Sequence, residues 1–203
     1  MRLFVAIWPP PSVVAALSEL EHPDLGTVRW TTPSRWHITL VFLGNTTPDG
    51  TAPGDPAAGD DATRDDAVAR LGRIPVGIHA GTVARLGTVT ESFGRSVLYV
   101  PVFGLDALAQ SVRATYFSAV TTAIDSAPFN GHLTVGRARR RRGDVRPLAG
   151  LPVGPAGGME WLVDELALVA SVSEGGKGRY QAVAMRSVPD DDYPTSNMRS
   201  GLQ

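Results

Sequence analysis

Two tripeptides of the same form, His37-Ile38-Thr39 and His132-Leu133-Thr134, stand in two separate stretches of strand-like sequence. On an extended chain, residues i and i+2 share a face. Each tripeptide therefore projects an imidazole and a hydroxyl to one side and buries Ile38 or Leu133 on the other. Trp36 and Leu40 extend the first apolar face, and Val135 extends the second. A fold built on these strands must leave the polar face of each outside the core. Laid side by side, they would line a groove with two histidines and two threonines. The 203 residues are enough for one sizeable domain or two small packed lobes.

The rest of the chain reads as alternating strands and helices. Residues 3–8 are apolar on both faces and closed by Pro9, as in a buried strand. Ser12 is placed to cap a helix over residues 12–21, with Val13, Ala16, Leu17 and Leu20 at helical spacing. Strands are predicted over residues 28–30 and 35–43, the second stopped by Gly44-Asn45. Residues 45–61, rich in Gly, Pro and Asp, bury little and read as a mobile loop. A helix over 63–71, strands over 75–84 and 96–103, and the longest helix over 105–124 follow. Strand 132–137 leads into an Arg-rich loop reaching about residue 158. Strands 161–172 and 179–187 close the fold as a hairpin turning through 173–178. The expected class is α+β, with an antiparallel-rich sheet and outer helices. It occupies residues 1–187 as one domain, with 188–203 as a disordered tail.

Composition removes several classes. With 43% hydrophobic residues and a net charge of −1, the balance is that of an ordinary globular chain. No apolar run approaches the roughly 18–20 residues that span a bilayer, and the opening MRLFVAIWPPP is too short for a signal peptide. A cytoplasmic protein without membrane contact is expected. Absence of cysteine excludes disulfides, thiolate metal sites and cysteine nucleophiles. Nor is there a G-x-S-x-G, H-E-x-x-H or G-x-G-x-x-G. Gly175-Gly176-Lys177-Gly178 lacks the spacing of a phosphate loop and reads as a hairpin turn.

Two imidazoles and two hydroxyls suit phosphodiester hydrolysis near neutral pH. Imidazole titrates near ~6.5, so one ring can accept a proton from water while the other donates to the leaving oxygen. Thr39 and Thr134 can hold non-bridging phosphate oxygens, and the Arg137 guanidinium can meet developing negative charge. The scheme needs no metal and no cofactor. One His-x-Thr on a strand is weak evidence, since both residues occur there for other reasons. Two copies in matching contexts are not. His22, beside Pro23, reads as a solvated cap, and His79 as a strand histidine with a local partner.

RLFVAIWPP, VRWTTPSRWHITLVFLGNT, SVLYVPV and FNGHLTVGRAR, in that order, resemble the 2H phosphoesterase superfamily. The nearest branch is the RNA 2′,3′-cyclic phosphodiesterases, historically called 2′-5′ RNA ligases. The resemblance implies two pseudo-symmetric α+β lobes with the active cleft between their sheets. It implies His37 as proton donor, His132 as proton acceptor, and Thr39, Thr134 and Arg137 on the phosphate. It further implies opening of a terminal cyclic phosphate to a 2′-phosphate, with reversible 2′-5′ ligation as a companion activity. The expected partners are RNA 3′ ends or nucleotides bearing a 2′,3′-cyclic phosphate, met by a monomer. Gly131 departs from the branch, which usually has Pro before the second histidine.

Eighteen of the nineteen basic residues are Arg, and six fall between Arg137 and Arg146. Arg139, Arg140, Arg141 and Arg142 read either as a solvated loop or as a patch tracking RNA phosphates. Trp30, Phe42 and Tyr180 are candidate stacking partners for bases. Three other readings compete: a 2H enzyme for another cyclic phosphate or for 2′-5′ oligonucleotides, an RNA-binding module without turnover, and a metal hydrolase using the histidines as ligands. Substrate profiling addresses the first, retention of both His-Thr pairs argues against the second, and turnover in chelator tests the third.

Overall fold

A computed structural model describes residues 2–24, 26–45, 64–117, 128–139, 143–174 and 177–188. The described strands are β1 (Arg2–Ile7), β2 (Val28–Trp30), β3 (Ile38–Asn45), β4 (Val83–Leu86), β5 (Glu91–Phe93), β6 (Val97–Phe103), β7 (His132–Ala138), β8 (Glu160–Leu162), β9 (Glu165–Glu174) and β10 (Lys177–Ser187). They form one sheet in the order β10-β9-β1-β3-β7-β6-β4-β8, with β2 paired to β7 and β5 to β6. Every pairing is antiparallel. The described helices are α1 (Pro11–Leu17), α2 (Arg64–Leu71) and α3 (Asp106–Tyr116). This is the expected α+β class. No helix among the described residues is long and apolar enough to cross a membrane.

One face of the sheet carries the main core. Leu3, Val5 and Ile7 of β1 join Ile38 and Leu40 of β3, Leu133 and Val135 of β7, and the buried faces of the helices. In α3, Leu108, Val112 and Tyr116 recur at helical spacing and are buried. The Tyr116 hydroxyl donates to the Ala67 carbonyl of α2 at 2.7 Å. Its burial pushes its pKa far above the ordinary tyrosine range, so it stays a neutral donor. The opposite face of β1 holds only a small cluster, Phe4 and Ala6 with Ala167 and Val169. That thinly covered face is where polar side chains can gather.

The sheet consists of two halves joined at a narrow seam. β3 of the first half meets β7 of the second at one register pair, Ile38 opposite Leu133. These are the central residues of the two tripeptides, so the local twofold of the antiparallel pair passes between them. Each strand also has a neighbour in its own half with the same irregularity. Along β1–β3 the register moves from Val5–Val41 to Ala6–Thr39, leaving Leu40 as the extra residue. Along β6–β7 it moves from Leu98–Gly136 to Tyr99–Thr134, leaving Val135 as the extra residue. Both bulges fall immediately after the threonine of a His-x-Thr. The burial pattern is shared as well: in 37–42 and in 132–137 it runs half-buried, buried, half-buried, buried, buried, exposed.

Several expectations are corrected. Ser12 does not cap α1: Pro10 holds the N-cap position with no side-chain hydrogen bond, and Pro11 supplies the first helical residue. A proline there costs nothing, because the first N–H groups of a helix have no partner within it. The helix ends at Leu17, with the Ser18 hydroxyl donating to the Val14 carbonyl at 2.7 Å. Residues 75–84 are not one strand. Val76–His79 form a 3-10 turn with its two ends buried, and only Val83–Leu86 are extended. Gly81, at φ 78°, separates the two in a left-handed conformation suited to glycine. Segment 161–172 is divided: β8 pairs with β4, whereas β9 crosses to β1 and β10. β9 runs to Glu174 and β10 starts at Lys177, so both strands extend into the turn expected over 173–178, of which residues 175–176 lie outside the described residues. β5 was not anticipated. The first motif strand begins at Ile38 and runs on through Gly44, while Pro33–Arg35 form a 3-10 turn before it. The helix expected over 105–124 runs from Asp106 to Tyr116, with Phe117 already extended; residues 46–61, 118–124 and 189–203 lie outside the described residues.

Candidate active site

Both histidines are oriented by the same local device. His37 Nδ1 lies 2.8 Å from the carbonyl oxygen of Arg35, and His132 Nδ1 lies 2.8 Å from that of Asn130. A carbonyl only accepts, so Nδ1 carries the hydrogen in each ring and Nε2 is left to exchange protons. The two residues before each histidine thus set its tautomer. Before His37, the turn is held by the Trp36 indole N–H donating to the Thr31 carbonyl at 3.1 Å. Thr31 in turn donates its backbone N–H to Val135 of β7 at 2.8 Å, tying the first motif's approach to the second motif's strand.

Antiparallel register carried one residue either way from Ile38–Leu133 puts His37 across from Thr134 and Thr39 across from His132. The histidines therefore lie on one diagonal of a four-residue cluster and the threonines on the other. Aromatic rings surround both imidazoles. The His37 ring centroid is 5.0 Å from those of Phe4 and Tyr180 and 5.8 Å from Trp8. That of His132 is 4.9 Å from Phe93 and 5.4 Å from Tyr99. Tyr99 is anchored by its hydroxyl, which donates to Glu91 Oε2 at 2.8 Å.

These surroundings set the proton affinities. Burial lowers the pKa of His37 first; the Arg35 carbonyl opposes it, and the nearby His132, Arg137 and Arg35 charges add to the lowering. Burial likewise lowers His132, opposed by the Asn130 carbonyl and reinforced by Arg137. The influence of His132 on His37, and the action of Arg137 on both, reflect one shared electrostatic environment.

Arg137 reaches this face because of a bulge. In a regular strand, residues i and i+3 point to opposite sides. The extra residue at Val135 restores Arg137 to the side of Thr134, and both line a cavity of about 200 Å³ beside His37. The cavity opens where β3 leaves β7 after a single pair and β2 takes over the edge at Gly136–Ala138. Its other walls include Arg29, Trp30, Arg35 and Tyr180. His132 and Thr39 do not line it; they are the other facing pair of the cluster, on the far side of Ile38 and Leu133. At the position equivalent to Arg137, the first half presents Phe42, 63% exposed.

The remaining sequence candidates divide. Trp30 and Tyr180 line the cavity, whereas Phe42 sits outside it, 5.9 Å from Phe4. Arg139 is not a cavity residue; its Nε donates to the Val28 carbonyl at 3.1 Å and ties β7 to β2. Arg140, Arg141 and Arg142 lie outside the described residues. His22 is exposed and stacks on Trp30, with 4.4 Å between centroids. His79 is buried in the 3-10 turn, where Nε2 meets the Ser111 hydroxyl at 2.8 Å. Arg29 and Arg35 were missed, although both flank the first motif closely in sequence. At Gly131 an added Cβ would lie 2.3 Å from the Val102 carbonyl oxygen, so the backbones have closed on the space a proline would need. Among the described residues, no group of three or more His, Asp or Glu side chains is arranged to hold a metal ion.

The sequence matches no protein-family model and no curated protein. Solved structures do match in fold. TT0787 of Thermus thermophilus superposes with a TM-score of 0.65 at 24% identity, over 94% of this chain and 100% of that one. E. coli LigT in complex with ATP gives 0.60 at 22% identity, over 92% and 96%. A protein described as a phosphoesterase gives 0.58 at 20% identity, over 92% and 98%. E. coli LigT has also been solved with 3′-AMP, NADP+ and phosphate. Near-complete coverage in both directions, with every described strand accounted for in one sheet, establishes that this chain has the LigT fold.

Proposed function

We propose that this protein is a 2H phosphoesterase that opens RNA 2′,3′-cyclic phosphates to 2′-phosphates. The observation that carries this reading is the duplicated His-x-Thr at the seam of a LigT fold, each imidazole held by Nδ1 with Nε2 left for chemistry. In-line displacement at phosphorus needs a proton acceptor on the attacking side and a donor on the leaving side. Two histidines related by a local twofold supply groups on opposite sides of one phosphate. His132 Nε2 takes a proton from water as its oxygen attacks phosphorus. The P–O3′ bond breaks, and His37 Nε2–H protonates the departing 3′-oxygen. Thr39 and Thr134 hydroxyls and the Arg137 guanidinium hold the non-bridging oxygens. Neither proton transfer calls for a metal. The nucleotides and phosphate bound by E. coli LigT agree with a site of this class. Arg139 to Arg142 remain a proposed route for longer RNA, and reverse ligation a proposed companion activity.

The test is incubation with an oligoribonucleotide ending in a 2′,3′-cyclic phosphate, in excess EDTA, with the product isomer identified. A 2′-phosphate formed at an undiminished rate is expected. A 3′-phosphate, or activity lost to chelator and restored by zinc or manganese, would overturn the scheme.

The pH dependence follows from the lowered histidines. In the free protein both rings lose their protons below the ordinary value of about 6.5, and the reactive form holds one proton between them. The bell for kcat/KM, which reports the free enzyme, should peak on the acid side of pH 6.5. A bound phosphate anion favours imidazolium, so the bell for kcat should lie at higher pH than that for kcat/KM. Coincident bells, or a kcat/KM still rising above pH 8, would contradict this assignment.

A further inference from the structure

The cavity beside His37 holds more positive charge than a cyclic phosphate uses. Arg29, Arg35 and Arg137 all line it, and no carboxylate does among the described residues. A 2′,3′-cyclic phosphate is a monoanion, already met by Arg137 with the threonines. Arg29 and Arg35 belong to a different part of the chain, β2 and the turn before His37. Arg29 lies directly opposite Arg137 in the β2–β7 register. Like charges at opposed positions destabilise a sheet, and an anion between them reverses that cost. Arg35 holds its guanidinium 5.3 Å from the Tyr180 ring centroid, a cation–π contact between two side chains of the cavity wall. Trp30, between them in sequence, is braced by the stacked His22.

We infer that Arg29 and Arg35 form a second anion subsite, which takes the phosphate on the 5′ side of the reacting ribose. The inference rests on the cyclic phosphodiesterase reading. A histidine that protonates the departing 3′-oxygen must stand on the ribose side of phosphorus. The ribose and its 5′ substituent therefore occupy the cavity that His37 lines, toward Arg29 and Arg35. The preferred substrate is a nucleotide with a 5′-phosphate, either free or as the phosphodiester of an RNA chain, and not a cyclic nucleoside monophosphate. Trp30 supplies an indole at the cavity wall for the base.

Calorimetry on the full chain tests this with adenosine 2′,5′-bisphosphate against 2′-AMP, both of which carry the product's 2′-phosphate. The bisphosphate should bind at least about tenfold tighter, the scale of one charge-assisted hydrogen bond. Arg29→Gln and Arg35→Gln should each pull that ratio toward one and flatten its salt dependence by about one unit of slope. Lys at either position should recover part of the ratio. A dinucleotide ending in a 2′-phosphate separates the sources: tighter binding than the bisphosphate assigns the subsite to the RNA chain, weaker binding to a free 5′-phosphate. Equal affinities for bisphosphate and monophosphate, or no binding of either, would overturn the subsite. Hydrolysis of cyclic-phosphate RNA is followed on the same preparation. A retained bisphosphate preference without turnover defeats the reaction and leaves the subsite standing; turnover without the preference does the reverse.

Discussion

Replacing His37 or His132 by Ala is expected to lower kcat/KM by about 10²–10⁴-fold, the usual scale for removing a positioned acid or base. The double variant should lose far less than the product of the two single losses. Once one transfer partner is gone, the other has little left to contribute, as for any catalytic groups that act as a unit. His37→Ala should also remove one limb of the pH bell and leave the other. Thr39→Ala and Thr134→Ala should be milder, because each takes away a phosphate contact and not a proton carrier. His79→Ala provides a control for general damage, because His79 is engaged with Ser111 in the 3-10 turn and does not line the cavity. Near-full activity in either single variant at position 37 or 132 would break the assignment.

Arg137→Ala should separate catalysis from stability. Loss of one preorganised donor to a developing charge costs about 10²–10³ in kcat. Lys at 137 should restore only part of it, since an ammonium keeps the charge but not the two-pronged fork. Stability should move the other way. Arg29 and Arg137 face each other across β2–β7, so removing one charge should raise unfolding free energy by about 0.2–1 kcal/mol. That gain should shrink as salt screens the pair. Kinetics and thermal unfolding at low and high salt check both halves. A variant that is less active and also less stable would mean that Arg137 serves the fold and not the phosphate.

The two His-x-Thr segments were legible because a strand's period of two is a local property. Alternation alone buries Trp36, Ile38, Leu40, Leu133 and Val135 and leaves His37, Thr39, His132 and Thr134 less covered. Buried strand β1 and the face of α3 were readable for the same reason. Errors arose where hydrogen bonding to distant chain decided the outcome. Val76 and His79 look like strand residues until a 3-10 turn is seen to place both against the core. Segment 161–172 looks continuous, yet Val163 donates its N–H to the Thr82 carbonyl at 2.9 Å just where the chain passes from β4 to β1.

By itself, the sequence determined the α+β class, the pair of motifs, and which side of each strand would carry chemistry. Those follow from side-chain chemistry and backbone periodicity within a few residues. Tertiary structure decided the rest. It placed Ile38 opposite Leu133, which turns two separate motifs into one cluster. It put a bulge at Val135, without which Arg137 would face away from Thr134. It carried Arg29, Arg35 and Tyr180 from three segments to the walls of one cavity. Register, bulges and convergence depend on pairing between residues far apart in the chain, and no local pattern encodes which partner a strand edge will find.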